Sequence, residues 1–366
     1  MKKVIFITDS LTSGGAERVM SILATNLALF GYDITILSKS HKPAFYDLDY
    51  RVKLMYPKTQ INYKNKIATL FTRLHLYFEI YKFLEKEIPD LVVPFSTTTN
   101  GTIIPICRLN GFPVIACEHN NFRLNIKSFP IWFIKRFIYP HANLLTVLTE
   151  RDKKEYYGKF MKNVVVMPNP LPLVPIRKVN LQQRHEIILA VGNVTRWEQK
   201  GFDKLLEIFS LIAPKYPEWQ LFIAGSGNPS YLAETIQELK LTHRVSLLGE
   251  VKDIQIVMQQ CSIFTMTSRW EGLPMVLIEA MSQGMACIAF DCFTGPGDVI
   301  SNGLDGILVE DQLNVKFITK LSQLIENKDL RLTLGTNAIE TSKRYLPEKI
   351  VQRWHDIIEY TLGLHE

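Results

Sequence analysis

Twice along this chain of 366 residues, short apolar runs alternate with longer amphipathic stretches, and a proline-rich segment separates the two series. Short apolar runs divided by helical stretches are the pattern of a parallel α/β domain, in which each helix carries the chain back to start the next strand. In the first series, residues 4–8, 34–38, 91–95, 114–117 and 144–148 read as strands, 164–167 as a further one, and 16–30 and about 67–86 as helices. The second series places strands at 187–191, 220–224, 245–247, 263–266, 286–290 and 306–309, with helices at about 202–212, 231–239, 254–260 and 275–283. From Gln312 onward the pattern is almost wholly helical, and residues 350–361 show an amphipathic period. Between the series, residues 168–175 hold four prolines in eight positions, which suits neither a helix nor a central strand and reads as an interdomain linker. The expected fold is therefore two parallel α/β domains, each long enough for its own core, and a helical tail.

Apolar residues make up 47% of the chain and charged ones 21%, an ordinary soluble balance. The opening from Met1 to Ile7 mimics a signal peptide, but Thr8 and Asp9 cut its apolar run short, and no stretch reaches the length of a membrane span. The five cysteines, Cys107, Cys117, Cys261, Cys287 and Cys292, are odd in number and lack metal-ligand spacing, which points to reduced thiols in the cytosol. Charge is uneven: residues 1–170 carry 23 Lys and Arg against 13 Asp and Glu, the remainder 19 against 23. That imbalance predicts an anionic partner for the first domain or a merely solvated basic face. No acidic residue lies between Glu118 and Glu150, where Arg123, Lys127, Lys135 and Arg136 are interleaved with Phe122, Phe129, Trp132, Phe133, Phe137 and Tyr139. The mixture suits an anionic membrane surface, or a core helix with a solvated basic face. Without an RNP or KH pattern, no nucleic-acid partner is expected.

The chemistry concentrates between Ser268 and Asp291. Glu271 and Glu279 stand eight positions apart, with Gly272 and Pro274 opening an apolar helical run to about Ser282, and Pro274 suits a first helical turn. Glu279, among Val276, Leu277, Ile278, Ala280 and Met281, has little reason to be there unless it accepts hydrogen bonds from something polar, and a ribose diol is a natural donor pair. Glu271 precedes the helix, where the dipole favours a negative group, and reads equally as a simple cap. Ligands of open α/β sheets lie outside the carboxyl ends of the strands. There, Arg196 and Lys200 follow strand 187–191 and would neutralise a diphosphate, although a surface Arg is the plainer reading of Arg196. Gly14 and Gly15 follow the first strand and open a helix, which would let a phosphate or an acceptor approach, or would simply make a turn.

Glu271-Gly272-Leu273-Pro274 through Glu279-Ala280, with Gly284 and the strand after it, resembles the E-x7-E signature of retaining glycosyltransferases of family four, which have the GT-B fold. The match extends to Ser13-Gly14-Gly15-Ala16-Glu17-Arg18, Val191-Gly192, Lys200-Gly201-Phe202-Asp203, Ala224-Gly225-Ser226-Gly227, Leu248-Gly249-Glu250-Val251 and Asn302-Gly303-Leu304-Asp305-Gly306, in the family's order over nearly the whole chain. The resemblance implies two Rossmann-like doubly wound parallel-sheet domains with an interdomain cleft. Residues 1–170 would bind the acceptor, 171–346 the nucleotide sugar, and a C-terminal helix, 347–366, would cross back onto the first domain. It implies transfer of a hexose or N-acetylhexosamine from a UDP-sugar, with retention, to a lipid-linked or soluble glycan in bacterial capsule, O-antigen or N-glycan precursor synthesis. Thr294-Gly295-Pro296-Gly297-Asp298 points to galactose, glucose or their N-acetyl forms. Donor contacts would come from Gly15, Arg196, Lys200, Gly225, Val251, Glu271, Gly272, Leu273, Pro274 and Glu279, the peptide groups from Gly272 to Pro274 facing the sugar and β-phosphate. His119, in Cys117-Glu118-His119, would bind the donor hexose or orient the acceptor. Gly14, Arg123, Lys127, Lys135 and Arg136 would face acceptor or membrane. Family members generally need no cofactor or metal, and a cytoplasmic enzyme on the inner face of the plasma membrane is implied. The chain departs from the family where Asn193 replaces the Arg after the glycine, with Arg196 three residues later. A sugar-nucleotide epimerase, a phosphorylase and a non-catalytic sugar-nucleotide-binding membrane subunit are the competing readings.

Overall fold

The computed structural model describes residues 1–366 apart from 13, 62–63, 120, 123–127, 181–183 and 364–366. The chain forms two compact units, Met1–Pro170 together with Pro347–Glu366, and Leu171–Leu346.

The first unit runs β1 (Lys3–Thr8), α1 (Gly15–Phe30), β2 (Asp33–Ser38), β3 (Lys53–Met55), α2 (Lys66–Glu87), β4 (Leu91–Pro94), α3 (Thr97–Asn110) and β5 (Ile115–Cys117). After these come α4 (Phe129–Phe133), a π-helical turn Ile134–Ile138, β6 (Leu144–Val147), α5 (Glu150–Glu155) and β7 (Val164–Val166). Strand orders β3-β2-β1-β4 and β5-β6-β7 are joined by bridges from Val92 to Val114 and Phe95 to Cys117, all parallel. Burial on both faces explains the unbroken apolar strands: Val4, Ile5, Phe6 and Ile7 are all fully buried. The order reverses beside β1, because the chain leaves it toward β2 and later returns on its other flank as β4.

Elements of this unit that lie outside the pattern read from sequence include β3, α3 and α5. Helix α3 begins Thr-Thr-Thr-Asn-Gly and contains Pro105, a composition with poor helix propensity. Tertiary context overrides it: the Ser96 hydroxyl caps the helix, and Ile103, Ile104 and Cys107 are buried.

The second unit runs β8 (His185–Val191), α6 (Trp197–Lys200), α7 (Phe202–Ile212), β9 (Gln220–Ala224), α8 (Ser230–Glu238), β10 (Val245–Gly249), α9 (Ile254–Gln260) and β11 (Cys261–Met266). It continues with α10 (Met275–Ser282), β12 (Ala286–Asp291), α11 (Pro296–Val299), β13 (Ile307–Glu310), α12 (Asn314–Glu326) and α13 (Lys328–Ser342). Its parallel sheet has the order β10-β9-β8-β11-β12-β13, so the reversal falls between β8 and β11. Helix α7 shows why these elements form where they do: Leu205, Leu206, Phe209 and Ile212 recur at helical spacing and join one core with Ile188, Ile223 and Phe290.

The last helix, α14 (Pro347–Gly363), belongs to the first unit. Its stripe of Ile350, Val351, Trp354, Ile357 and Ile358 shares a core with Val4, Phe6, Leu23 and Leu27. Trp354 meets the Phe6 ring edge-on at 6.5 Å.

Candidate active site

In the second unit, the loops after β8 and β11 lie at the point where strand order reverses, where an open α/β sheet leaves a crevice at its carboxyl edge. These loops bring Lys200 to Glu271. The ammonium donates to Glu271 Oε1 at 2.9 Å, and the Ser268 hydroxyl donates to the same oxygen at 2.6 Å. Glu271 is only 7% exposed, so its charge requires such partners. Behind it, the Thr294 hydroxyl donates to the Glu271 carbonyl at 2.5 Å.

Lys200 is positioned by a loop that two glycines make possible. Gly201 follows α6 at φ 65°, and a Cβ there would lie 1.9 Å from the Thr267 carbonyl oxygen. Gly225, at φ 153°, approaches the loop after β8 so closely that a Cβ would lie 1.8 Å from the Gly192 carbonyl oxygen. Between these points the loops after β8 and β9 are laced together. Val194 N–H donates to Ser226 O at 2.9 Å, Asn228 N–H to Thr195 Oγ1 at 2.8 Å, and the Trp197 and Tyr231 rings stack at 3.7 Å. Asn193, at the family's arginine position, caps the turn by accepting from Thr195 N–H at 3.0 Å. Arg196 is exposed; its N–H donates to Asn193 O at 3.0 Å, while its guanidinium makes no hydrogen bond or ion pair among the described residues. Val251 is half-buried in the loop after β10.

Helix α10 starts at Met275 rather than Pro274, which stands at the cap position. Proline has no N–H, so among the three peptide groups singled out from sequence only Gly272 and Leu273 can donate. Glu279, 9% exposed, lies more than one turn into α10 between buried Ile278 and Ala280. Thr294 and Asp203 stand in motifs quoted from sequence, but neither they nor Ser268 and Arg269 were given a role at this site. Arg269 grips Asp203 with two bonds of 2.8 and 2.6 Å, tying the loop after β11 to the first turn of α7. A basic residue beside Trp270-Glu271 and an acid after Gly201 were the available signal.

In the first unit the reversal lies between β1 and β4. Asp9 there meets Lys39 at 2.5 Å and accepts from Ser96 and Thr98 hydroxyls at 2.9 and 3.2 Å. Burial would raise the Asp9 pKa, but Lys39 and the hydroxyls hold it below the usual value. Gly15 opens α1 with no atom within 4 Å of where a Cβ would stand, whereas one on Gly14 would meet the Glu17 carboxylate. Ser13 lies outside the described residues.

His119 follows β5 with its ring stacked on Phe95 at 4.6 Å. Part of the residue reaches the surface, yet both ring nitrogens are buried without a hydrogen-bond partner among the described residues. Burial pushes its pKa down to about 4, against the neighbouring Glu118 carboxylate, which favours the cation. Glu118 is itself buried, accepting from Thr97 Oγ1 at 2.7 Å and Tyr139 OH at 2.8 Å.

The same carboxylate overturns one expectation. Lys135 is 1% exposed and lies 3.6 Å from Glu118, so it cannot meet a membrane. A buried ammonium needs a counter-charge, and the interleaving of basic and aromatic residues did not reveal that one lysine points inward. Arg136 is exposed, with its guanidinium over the Phe160 ring at 5.2 Å. Arg123 and Lys127 lie outside the described residues. Among those residues, no group of three or more His, Cys, Asp or Glu could hold a metal ion.

Two family models match the chain: "Glycosyltransferase Family 4" over residues 13–173 and "Glycosyl transferases group 1" over 175–341. The amylovoran biosynthesis glycosyltransferase AmsD of Erwinia amylovora is 31% identical, over 98% of this chain and 100% of its own. The GalNAc-alpha-(1->4)-GalNAc-alpha-(1->3)-diNAcBac-PP-undecaprenol alpha-1,4-N-acetyl-D-galactosaminyltransferase of Campylobacter jejuni is 27% identical, over 98% of each chain. Anabaena HepE, solved in complex with UDP, superposes with a TM-score of 0.79 over 98% of this chain and 100% of its own, at 17% identity. The architecture is that of the GT-B glycosyltransferases.

Proposed function

Because the chain belongs to the family four glycosyltransferases, we propose that it moves a hexose or N-acetylhexosamine from a UDP-sugar, with retention, to a polyprenyl-diphosphate-linked glycan. The observation that carries this reading is the Lys200–Glu271–Ser268 cluster at the reversal point of the second unit. A cation there meets the diphosphate and the charge that grows on it as the glycosidic bond breaks, with Arg196 adding a second charge from the same loop. Glu271 with the Gly272 and Leu273 amides holds the donor sugar and β-phosphate. Glu279 accepts from the ribose diol, and Gly15, Gly225 and Val251 complete the donor contacts. His119, neutral above its depressed pKa, presents a hydrogen-bonding imidazole to hexose or acceptor. The departing phosphate takes the acceptor hydroxyl's proton on the face from which it leaves, so no enzyme carboxylate acts as nucleophile and no metal enters the reading.

The named acceptor of the Campylobacter relative supports the lipid-linked choice, and HepE's ligand supports UDP. We place the enzyme in the cytoplasm, peripheral to the inner face of the plasma membrane; no described helix is long and apolar enough to cross a membrane. Release of UDP measured with and without a lipid-linked acceptor tests the reading. Acceptor-dependent release that EDTA leaves unchanged is expected. Release of UDP without acceptor, or conversion of the donor to another nucleotide sugar, would replace transfer by hydrolysis or epimerisation, and no turnover at all would favour a binding subunit.

A further inference from the structure

Helix α2 is apolar on two faces, but only one is covered. Its inner stripe, Leu76, Ile80 and Leu84, is buried. Ile67, Leu70, Phe71, Leu74 and Phe78 are exposed by 69, 58, 67, 56 and 58%. At 3.6 residues per turn these five fall within an arc of about 100°. No residue from Lys66 to His75 is buried, so the first half of the helix carries its apolar surface outside the core. Large apolar side chains aligned in this way mark a contact surface rather than a chance scatter.

What surrounds the stripe selects its partner. From Tyr50 to Phe78 the sequence has no acidic residue, while Arg51, Lys53, Lys58, Lys64, Lys66 and Arg73 supply six cations. Lys66 and Arg73 flank one side of the stripe on the helical projection. Arg51 and Lys53 are paired with Asp49 and Asp33, but a second copy of this chain docked face to face would still set Lys66 and Arg73, beside the stripe, against their own kind. Anionic headgroups meet them favourably, at the depth where an apolar helix face enters a bilayer. The aromatic surface of α4 and the π turn belongs to the same layer, because crossovers moving in one direction along a parallel sheet put their helices on one face. There α3 packs against both α2 and the π turn. Trp132, Phe133 and Phe137 of that surface are exposed by 37, 42 and 46%.

We propose that residues 66–78 of α2 are an interfacial helix that seats Ile67, Leu70, Phe71, Leu74 and Phe78 in the surface of an anionic bilayer. The inference rests on the peripheral location proposed above and names the face that docks. It is tested by flotation of the whole protein with vesicles of phosphatidylcholine alone and with phosphatidylglycerol added. Leu70→Glu/Leu74→Glu changes exposed positions, so an unchanged melting curve and unchanged UDP binding are expected, while the fraction floated on anionic vesicles should fall about tenfold or more. Phe71→Trp should show a blue-shifted emission when anionic vesicles are added. Flotation of wild type and double variant alike, with loss only in Trp132→Glu/Phe137→Glu, would overturn α2 as the docking face and leave the peripheral location standing. Failure of the wild type to float on either vesicle would overturn both. A wild-type dimer that the double variant converts to monomer would assign the stripe to self-association instead.

Discussion

Lys200 and Glu271 form a part-buried pair at 2.9 Å, with Ser268 on the same carboxylate oxygen. On the proposed function, a diphosphate entering this loop would compete with Glu271 for the ammonium, most strongly once the leaving group carries its full charge. Lys200→Ala should therefore lower kcat more than it raises the donor KM; a change confined to KM would make Lys200 a ground-state contact. Glu279→Ala should weaken UDP binding by about 1–3 kcal/mol, read by calorimetry, since it removes a charged acceptor from the proposed ribose contact. His119 gives a pH signature. In the unfolded chain it takes up a proton near pH 6.5, roughly its ordinary value, whereas the folded protein resists protonation down to about 4. Between those values protons favour the unfolded state, so its contribution to stability is present above the unfolded pKa and is lost as pH falls through the window. Asp152, which burial raises to about 6, acts in the opposite sense. Melting temperatures of wild type and His119→Gln compared from pH 4 to 7 isolate the histidine, and the variant should lose less stability on acidification.

At the scale of elements, the loops proposed to hold the donor depend on backbone approach rather than on side-chain contacts alone. A Cβ on Gly225 would stand 1.8 Å from the Gly192 carbonyl oxygen, which neither rotamer change nor solvent can relieve. Gly225→Ala should cost at least about 1–3 kcal/mol by denaturant titration and weaken UDP binding with it, because relief of the clash moves the loop that carries Lys200. An unchanged affinity would separate that loop from the donor. The same loop shows how a local departure is absorbed: Asn193 caps the turn, and the following residues form the 3₁₀ turn Val194–Arg196 and α6 before Lys200 reaches Glu271. The sequence showed the substitution and the longer loop. The turns that reposition the lysine depend on bonds to Ser226 and Asn228, some thirty residues on.

At the scale of the molecule, α14 joins a core formed more than three hundred residues earlier. Trp354 is 2% exposed against Phe6, and Tyr32 OH lies 2.7 Å from His355 Nδ1. Trp354→Ala should destabilise the first unit by about 3–5 kcal/mol, the usual cost of emptying a large aromatic site. Since the proposed donor residues Lys200, Glu271 and Glu279 lie in the second unit and Gly15 alone of the proposed donor glycines lies in the first, UDP affinity by calorimetry should stay within about twofold, the scatter expected for sites that share no partners. A larger loss would show that the tail helix supports the donor site as well as its own unit.

The alternation of strands and helices, the unit boundary at Pro170, and the placement of Glu271, Glu279 and Lys200 in loops or helices after strands were legible in the chain itself. Each is written in local periodicity, in proline and glycine, or in residues spaced along one segment. What the tertiary structure decided depends on residues far apart in the sequence. Helix α3 forms against its own propensity because a buried face and the Ser96 cap sustain it. Lys135 leaves the basic surface because Glu118 offers it a counter-charge inside. Ser268 and Thr294 join the site because neighbouring loops meet at Glu271. Helix α2 shows the same division: its two apolar faces are written in the sequence, but which one the core covers, and which one is left outward, is settled only by what packs against it.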